Sequence, residues 1–365
     1  MSKVYFIDFH SSSKQNILDK LKMLLSKGGM NEIDFTKKLV ALKIHFGEPG
    51  NLAFLRPNYA SVVAGIVKEK EGVPFLTDTN TLYKGRRSNA VDHIQSAAEN
   101  GFSQLTTGCN IIIADGLKGT EYKEIEINLK HCKTAKIASA IANSDIIITL
   151  NHFKCHDMAG FGGALKNLGM GSGSVGGKLE MHSDSQPFIK RENCTGCGEC
   201  VENCAYNAVQ LDKENIAEIN YSKCSGCGQC IAVCQYDASQ AKFNSANLQE
   251  KMMEYAFAAS LGKKVYHINF VMDVSPNCDC WNFNDVPIVQ DIGILSSFDP
   301  VALDMACADL VNKSPVILNS KIGHIENQEK DRFRSVFPEI DWQIGLNYAE
   351  KIGLGSKKYE IIQIK

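Results

Sequence analysis

The feature that most constrains this chain is a cysteine motif that occurs twice, with an offset of 30 residues. The first copy is Cys194-x2-Cys197-x2-Cys200-x3-Cys204, and the second is Cys224-x2-Cys227-x2-Cys230-x3-Cys234. Three thiolates separated by two residues each can bind three irons of one cubane from a single loop, while the fourth, a helical turn later, points away. The spacing therefore predicts an internal duplication that holds two 4Fe–4S clusters.

Zinc is the alternative for this motif, because paired Cys-x2-Cys runs also bind zinc. Each zinc site uses four ligands, however, and two triplets with offset fourth cysteines do not divide readily into such sites. Eight of the 14 cysteines lie between residues 194 and 234, whereas a secreted disulfide protein would spread its cysteines through a short chain. Together with an N-terminus that lacks an apolar leader, this distribution predicts a soluble cytoplasmic protein.

The cysteine segment resembles the bacterial two-cluster ferredoxins over about 50 residues. In those proteins the fourth cysteine of each run binds the cluster of the other run. The resemblance implies one cluster on Cys194, Cys197, Cys200 and Cys234, and another on Cys224, Cys227, Cys230 and Cys204.

The rest of the chain alternates short apolar strands with amphipathic helices, which predicts an α/β fold with a mostly parallel sheet and helices on its faces. We expect a discontinuous α/β domain, residues 1–185 and 246–365, interrupted by a small α+β ferredoxin-like module at 186–245. Within the α/β part, the pattern predicts a helix over 134–142, a strand over 288–291 and a helical wrap over 313–365. The formal net charge of −2 provides no basic surface for a nucleic acid, and no apolar run is long enough to span a membrane.

Polar residues follow the predicted strand at 145–150, and in open α/β sheets ligands bind beyond the carboxyl ends of strands. Lys154, His156, Lys166 and Asn167 are the candidate catalytic residues there, beside a run of glycines. A short helix opening near Gly163 would offer free N–H groups to an anion. The alternative is a tight packing loop in which these side chains are only solvated.

A second group of side chains could hold an additional metal ion. Cys278 and Cys280 follow a predicted strand end and could ligate a metal or form a redox pair, and the candidate set is completed by His45, His152 and His156. After the third strand, Asp78, Tyr83, Arg86 and Arg87 could bind an anionic substrate or form a salt-bridged loop.

Several segments together resemble the uncharacterised Fe–S centre proteins that contain the domain of unknown function 362. The matching segments are residues 43–51, 77–83, 152–156, 160–171, 278–280 and 299–304. The resemblance covers nearly the whole chain and implies an α/β domain with an inserted ferredoxin-like module, but it implies no substrate.

These patterns favour an oxidoreductase in which two 4Fe–4S clusters exchange electrons with a site in the α/β domain. The expected partner is a redox protein or a small-molecule substrate. Two alternatives stay open: a non-enzymatic electron carrier or adaptor, and a factor that handles metal ions or clusters. A two-cluster ferredoxin needs only about 50–60 residues, so the remaining length favours the enzyme.

Overall fold

The computed structural model describes residues 1–83, 85–182, 186–204, 206–224, 229–234, 236, 238–241, 247–323 and 330–365. Its strands are β1 (Ser2–Asp8), β2 (Leu39–Lys43), β3 (Val73–Asp78), β4 (Ile111–Ile113), β5 (Tyr122–Glu126), β6 (Thr134–Ala138), β7 (Ile146–His152), β8 (Lys154–His156), β9 (Gly160–Gly162), β10 (Pro187–Ile189), β11 (Val209–Leu211), β12 (Ala217–Ile219), β13 (Ser239–Ala241), β14 (Lys264–Val271), β15 (Gly293–Ser297) and β16 (Tyr359–Gln363).

The α-helices are α1 (Ile17–Lys27), α2 (Pro57–Glu69), α3 (Ala90–Glu99), α4 (Gln104–Thr107), α5 (Ser139–Asn143), α6 (Ala164–Ser172), α7 (Val175–His182), α8 (Glu199–Glu202), α9 (Gln229–Val233), α10 (Leu248–Ser260), α11 (Pro300–Lys313), α12 (Arg332–Val336) and α13 (Gln343–Lys351). Short 3-10 helices cover Met30–Glu32 and Arg191–Asn193.

The largest sheet in the described part of the chain has eight strands in the order β16-β1-β15-β14-β7-β2-β3-β4. Only β15 is antiparallel to its neighbours, β1 and β14, while the other pairs are parallel. The structure therefore confirms an α/β fold with a mostly parallel sheet.

The central strands are apolar on both faces because helices cover both faces. Successive residues of β7 point to opposite sides, so Ile147 packs in one core and Ile146 and Ile148 pack in the other. The first core includes residues of α6, α10, α11 and α13, and the second includes residues of α1 and α2. This burial fixes the strand register and brings the carboxyl ends of β2, β3, β7 and β14 to one edge.

Three predictions of local structure were wrong in part. Residues 134–142 form strand β6 and then helix α5, because β6 pairs with β5 in a hairpin. The strand expected at 288–291 lies later, at Gly293–Ser297. The segment 313–365 contains α12 and α13, but it ends in β16, which adds to the main sheet beside β1.

The cysteine-rich segment repeats its secondary structure with the same offset as its sequence. The order β10-α8-β11 recurs 30 residues later as β12-α9-β13. Each half pairs with the other, since β10 pairs with β13 and β11 with β12, both antiparallel. The third cysteine of each run lies within α8 or α9 and the fourth follows that helix, while Cys227 lies outside the described residues.

Candidate functional site

The edge of the sheet where β2, β3 and β7 end carries buried charged side chains. Lys43, the last residue of β2, is 1% exposed and forms an ion pair with Asp78 at the end of β3 (Nζ–Oδ1 2.8 Å). Burial alone would raise the pKa of Asp78, but the Lys43 ammonium overrides this effect and holds the pKa well below its ordinary value. Lys43 also donates to the side-chain oxygen of Asn167 at 2.7 Å.

Asn167 is fixed by the protein itself. Its amide nitrogen lies within hydrogen-bond distance of three acceptors, namely the carbonyl oxygens of Lys43 and Leu150 and the side-chain oxygen of Asn151. We infer that Asn167 positions Lys43 and the strand ends.

The loop after β3 is held by a second buried ion pair. Arg87 is 2% exposed and donates from Nε to Glu48 at 2.7 Å and from Nη2 to the Tyr83 hydroxyl at 2.6 Å. Arg86, beside it in sequence, pairs with Glu99 at the surface. Of the two interpretations of this segment, the geometry favours the salt-bridged loop, because the Arg87 guanidinium is already engaged by Glu48.

Asp279, between the two cysteines of Cys278-x-Cys280, anchors another strand end. Its fully buried carboxylate lies 2.8 Å from Nδ1 of His152 and 3.3 Å from Nζ of Lys154. Burial alone would raise the pKa of Asp279, but these two neighbours hold it well below its ordinary value. The other ring nitrogen of His152 lies 2.9 Å from the carbonyl of Met272, so both nitrogens of His152 are engaged.

His156, Cys278 and Cys280 meet at this edge. One donor atom from each lies within 4.8 Å of the other two, which makes a metal-binding group compatible with the structure. Lys166 of α6 donates from Nζ to Cys278 Sγ at 3.4 Å. On β8, Lys154 and His156 point to this site. Cys155 lies between them in sequence, so its side chain points the opposite way and packs in the apolar core.

The two thiols differ strongly in acidity. A hydrogen bond from Cys280 and the nearby Lys166 ammonium hold the pKa of Cys278 well below its ordinary value despite its burial. The same shared proton raises the pKa of Cys280. Burial would lower the pKa of Lys166, but the sulfurs of Cys278 and Cys280 raise it. The buried sulfur of Cys278 therefore lies next to the side-chain nitrogen of Lys166.

The helix that begins after Gly163 is capped from within the protein. The carboxylate of Asp304 accepts from the backbone N–H groups of Ala164 (2.7 Å) and Leu165 (2.9 Å) and from Nδ2 of Asn269 (2.7 Å). An added Cβ at Gly163 would lie 2.3 Å from Asp304 Oδ1, so glycine allows this close approach. The anion expected at this helix N-terminus is therefore a side chain of the chain itself.

His45 stays apart from the group formed by His156 and the two cysteines. Its Nδ1 accepts from the N–H of Gly47 at 3.0 Å, and burial and the Arg87 charge hold its pKa well below the ordinary value. Of the five donors predicted for an additional metal, His156, Cys278 and Cys280 come together, whereas His45 is not within their group and both nitrogens of His152 are engaged by Asp279 and Met272. Sequence reasoning did not identify Lys43 and Asp279 as residues of this site. Only their burial and their ion pairs in the structure single them out.

In the cysteine-rich segment, four cysteines face one cavity of about 340 Å³, a volume that includes space open to solvent: Cys194, Cys197, Cys200 and Cys234. Backbone N–H groups point at the sulfurs, from Ala217 to Cys194 (3.4 Å), from Ala238 to Cys234 (3.3 Å) and from Ala208 to Cys204 (3.2 Å). Every cysteine in the described ranges is a free thiol. The cysteines are thus compatible with binding a metal or cluster.

The cysteine-rich segment packs against the α/β part through a shared apolar cluster. Leu82, Val175 and Leu179 contribute to the same core as Cys200 and Cys230. Residue Tyr83, next to Leu82, donates its hydroxyl to the carbonyl of Cys280 at 3.1 Å. The loop after β3 therefore contacts both regions that carry clustered cysteines.

Comparison with known proteins gives a family but no activity. A family model described as "Domain of unknown function (DUF362)" matches residues 40–309. No curated protein matches the sequence. Among solved structures, the crystal structure of a Thermotoga maritima protein is similar at 10% identity and a TM-score of 0.41, over 85% of this chain and 60% of that one. This chain thus spans less than two thirds of that protein, and a likeness so low carries no argument. Within the described ranges, no helix has the length and apolar character to cross a membrane.

Proposed function

The chain belongs to the DUF362 family, and from that premise we propose that it is an iron–sulfur oxidoreductase: residues 186–245 hold two 4Fe–4S clusters for electron transfer to a site in the α/β domain. The observation that carries the proposal is the cavity lined by Cys194, Cys197, Cys200 and Cys234. Three of these cysteines belong to the first run and one to the second, which is the crossed arrangement of two-cluster ferredoxins.

The donor set fits such a cluster. Four thiols without a disulfide surround one cavity, and backbone N–H groups point at cysteine sulfurs, as expected around the anionic sulfur of a cluster. Bound there, a 4Fe–4S cluster would supply or accept one electron at a time. The repeat implies a second ligand set on Cys204, Cys224, Cys227 and Cys230.

The α/β residues supply what electron transfer alone lacks, which is a place to hold substrate and a source of protons. Lys166 carries exchangeable protons beside Cys278, and we assign it to proton transfer, whereas His156 lies with Cys278 and Cys280 where substrate would bind. Lys154, bound to Asp279, and Asn167, bound to Lys43, keep the strand ends in place. Leu82 packs in the apolar cluster of the cysteine-rich segment and Tyr83 donates to Cys280, so the loop after β3 would join the two regions for electron transfer.

We expect protein prepared without oxygen to contain about eight irons and about eight sulfides per chain. Paired substitutions test the crossed ligation. C194S with C234S removes two ligands of one cluster, so about four irons should remain, whereas C194S with C204S damages both clusters and should leave almost none. Iron and sulfide analysis and the electron paramagnetic resonance of the reduced protein give the readout.

C155S is the matched control, because Cys155 is buried in the apolar core away from the module, and it should keep all the iron. Zinc in place of iron in the anaerobic protein, or equal losses in the two double variants, would contradict the proposal.

A second experiment separates the enzyme from a carrier. Protein reduced by dithionite is mixed without oxygen with either the small molecules or the proteins of a cell extract, and reoxidation is followed by absorbance. An enzyme should be reoxidised by the small molecules, and K166A should lose this reaction while its cluster potentials stay unchanged. Reoxidation by the protein fraction alone, with K166A unaffected, would instead identify a carrier.

A further inference from the structure

We propose that His156, Cys278 and Cys280 form a mononuclear site for zinc, with a fourth position left open beside Lys166. The inference rests on the proposed function in that it assigns a third metal to the same α/β site, but its ligands are separate from the cluster cysteines. Three protein ligands with one open position are typical of catalytic zinc, whereas structural zinc has four protein ligands.

The three donors are already close to the required separations. Zn–S bonds of about 2.3 Å and Zn–N bonds of about 2.0 Å in tetrahedral geometry place the donor atoms about 3.5–3.8 Å apart. The donor atoms of His156, Cys278 and Cys280 all lie within 4.8 Å of one another. Binding would therefore require about 1 Å of side-chain movement at most. Two sulfurs and one imidazole also suit zinc better than magnesium or calcium, which prefer oxygen.

The backbone that carries both cysteines is held from several directions. Asn51 Nδ2 lies 3.4 Å from the carbonyl of Cys278, Tyr83 donates to the carbonyl of Cys280, and the N–H of Glu48 donates to the carbonyl of Asp279. The Asp279 side chain is fixed to His152. Because these contacts hold the turn independently of the sulfurs, the site is preorganised for a ligand.

A carboxylate that could accept the ring proton of a ligating histidine lies beside His156. Its Nδ1 lies 3.2 Å from the N–H of Met158 and 3.4 Å from a carboxylate oxygen of Asp157. For Nε2 to bind a metal, Nδ1 must carry the ring proton, so it would donate to Asp157 and give up the contact in which it accepts from the Met158 N–H. His156 and Cys278 are buried, whereas Cys280 is partly exposed and faces the side from which an ion would reach the group.

Lys166 determines what the fourth position would accept. Its ammonium lies 3.4 Å from Cys278 Sγ on the helix α6, and no carboxylate is bonded to it within the described residues. A cation beside a zinc ion favours an anionic group, such as a carboxylate or thiolate of a small substrate, over a neutral one.

The test uses full-length protein with its clusters loaded and its iron counted. After equilibration with buffered zinc and removal of free metal, we expect about one zinc per chain, with an X-ray absorption spectrum at the zinc edge of two sulfurs at about 2.3 Å and light atoms at about 2.0 Å. C278S, C280S and H156A should each weaken zinc binding by about 100-fold or more, beyond the 10–100-fold typical of outer-shell changes. The zinc edge is specific to the element, so iron does not interfere.

C307S is the matched control, because Cys307 is a buried thiol outside this group, and it should bind zinc as the unaltered chain does. Zinc that survives both C278S and C280S, a shell of four sulfurs, or a Cys278–Cys280 disulfide with no zinc would overturn the proposal. Eight irons without zinc would refute only this inference, whereas one zinc without iron would refute only the cluster assignment.

Discussion

Replacement of Arg87 by alanine should lower the free energy of unfolding by about 3–5 kcal/mol. Arg87 is almost completely buried and neutralises Glu48, which is itself 6% exposed. Removing the guanidinium leaves the Glu48 carboxylate buried without its partner and also removes the hydrogen bond to Tyr83. A buried charge that has lost its partner costs far more than the same loss at the surface.

The adjacent residue gives a matched control. Arg86 also forms an ion pair, with Glu99 at 2.8 Å, but both side chains are more than 40% exposed. Water and ions screen that pair, so R86A should cost far less stability than R87A. Denaturant unfolding of both variants, at equal iron content, measures the difference. Equal losses in the two variants would show that burial of the Arg87–Glu48 pair is unimportant.

Replacement of Asp304 by alanine should also cost about 3–5 kcal/mol, although this residue touches no predicted site residue directly. Its carboxylate is the acceptor for the N–H groups of Ala164 and Leu165 and for Asn269 Nδ2. Without it, three buried donors lose their acceptor. Each unsatisfied donor would lower the free energy of unfolding by about 1–3 kcal/mol before the surrounding structure relaxes. The helix α6, which carries Lys166 and Asn167, would lose its N-terminal cap.

Asn89→Ala is a suitable comparison, since the Asn89 side chain caps α3 through one backbone N–H at the surface. That variant should cost about 1 kcal/mol, as exposed caps usually do. If D304A unfolds at the same denaturant concentration as N89A, the Asp304 cap of α6 contributes no more to stability than an exposed cap does.

Asp304 also predicts a pH dependence. Burial raises its pKa from 3.8 to about 6, against the three donors that favour the carboxylate. The folded chain therefore binds this proton more tightly than the unfolded chain. As a result, the free energy of unfolding should increase as the pH falls from about 6 to about 4. D304N cannot take up the proton, so the stability difference between the unaltered chain and D304N should widen over this pH range. A difference independent of pH would show that Asp304 does not titrate there.

Local patterns were sufficient for most of the main sheet. Runs such as residues 146–148 are apolar at every position, which only a strand buried on both faces requires, and this predicted the parallel α/β sheet. They failed at 134–138, because β6 is a strand only by virtue of its partner β5. The antiparallel β15 and the terminal β16 likewise depend on partners distant in sequence.

The candidate site shows the same division. Cysteine spacing alone predicted the duplicated cluster ligands, because three ligands of each cubane come from one short loop. Cys278 lies more than 100 residues from His156 and Lys166, and those two residues lie on different elements, β8 and α6. Only the fold of the sheet edge brings the three side chains together. The anion-binding helix end predicted at Gly163 is filled by Asp304, which is 140 residues away from Ala164.

The sequence by itself determined the fold class and the spacing of the cysteine repeat, because both depend on periodicity over a few residues. The tertiary structure decided which histidine joins Cys278 and Cys280, since His45 and His152 are equally plausible donors until their hydrogen bonds are known. It also decided that Arg87 and Asp304 are structural, because the effect of a charge depends on its burial and partners, which sequence neighbours do not determine.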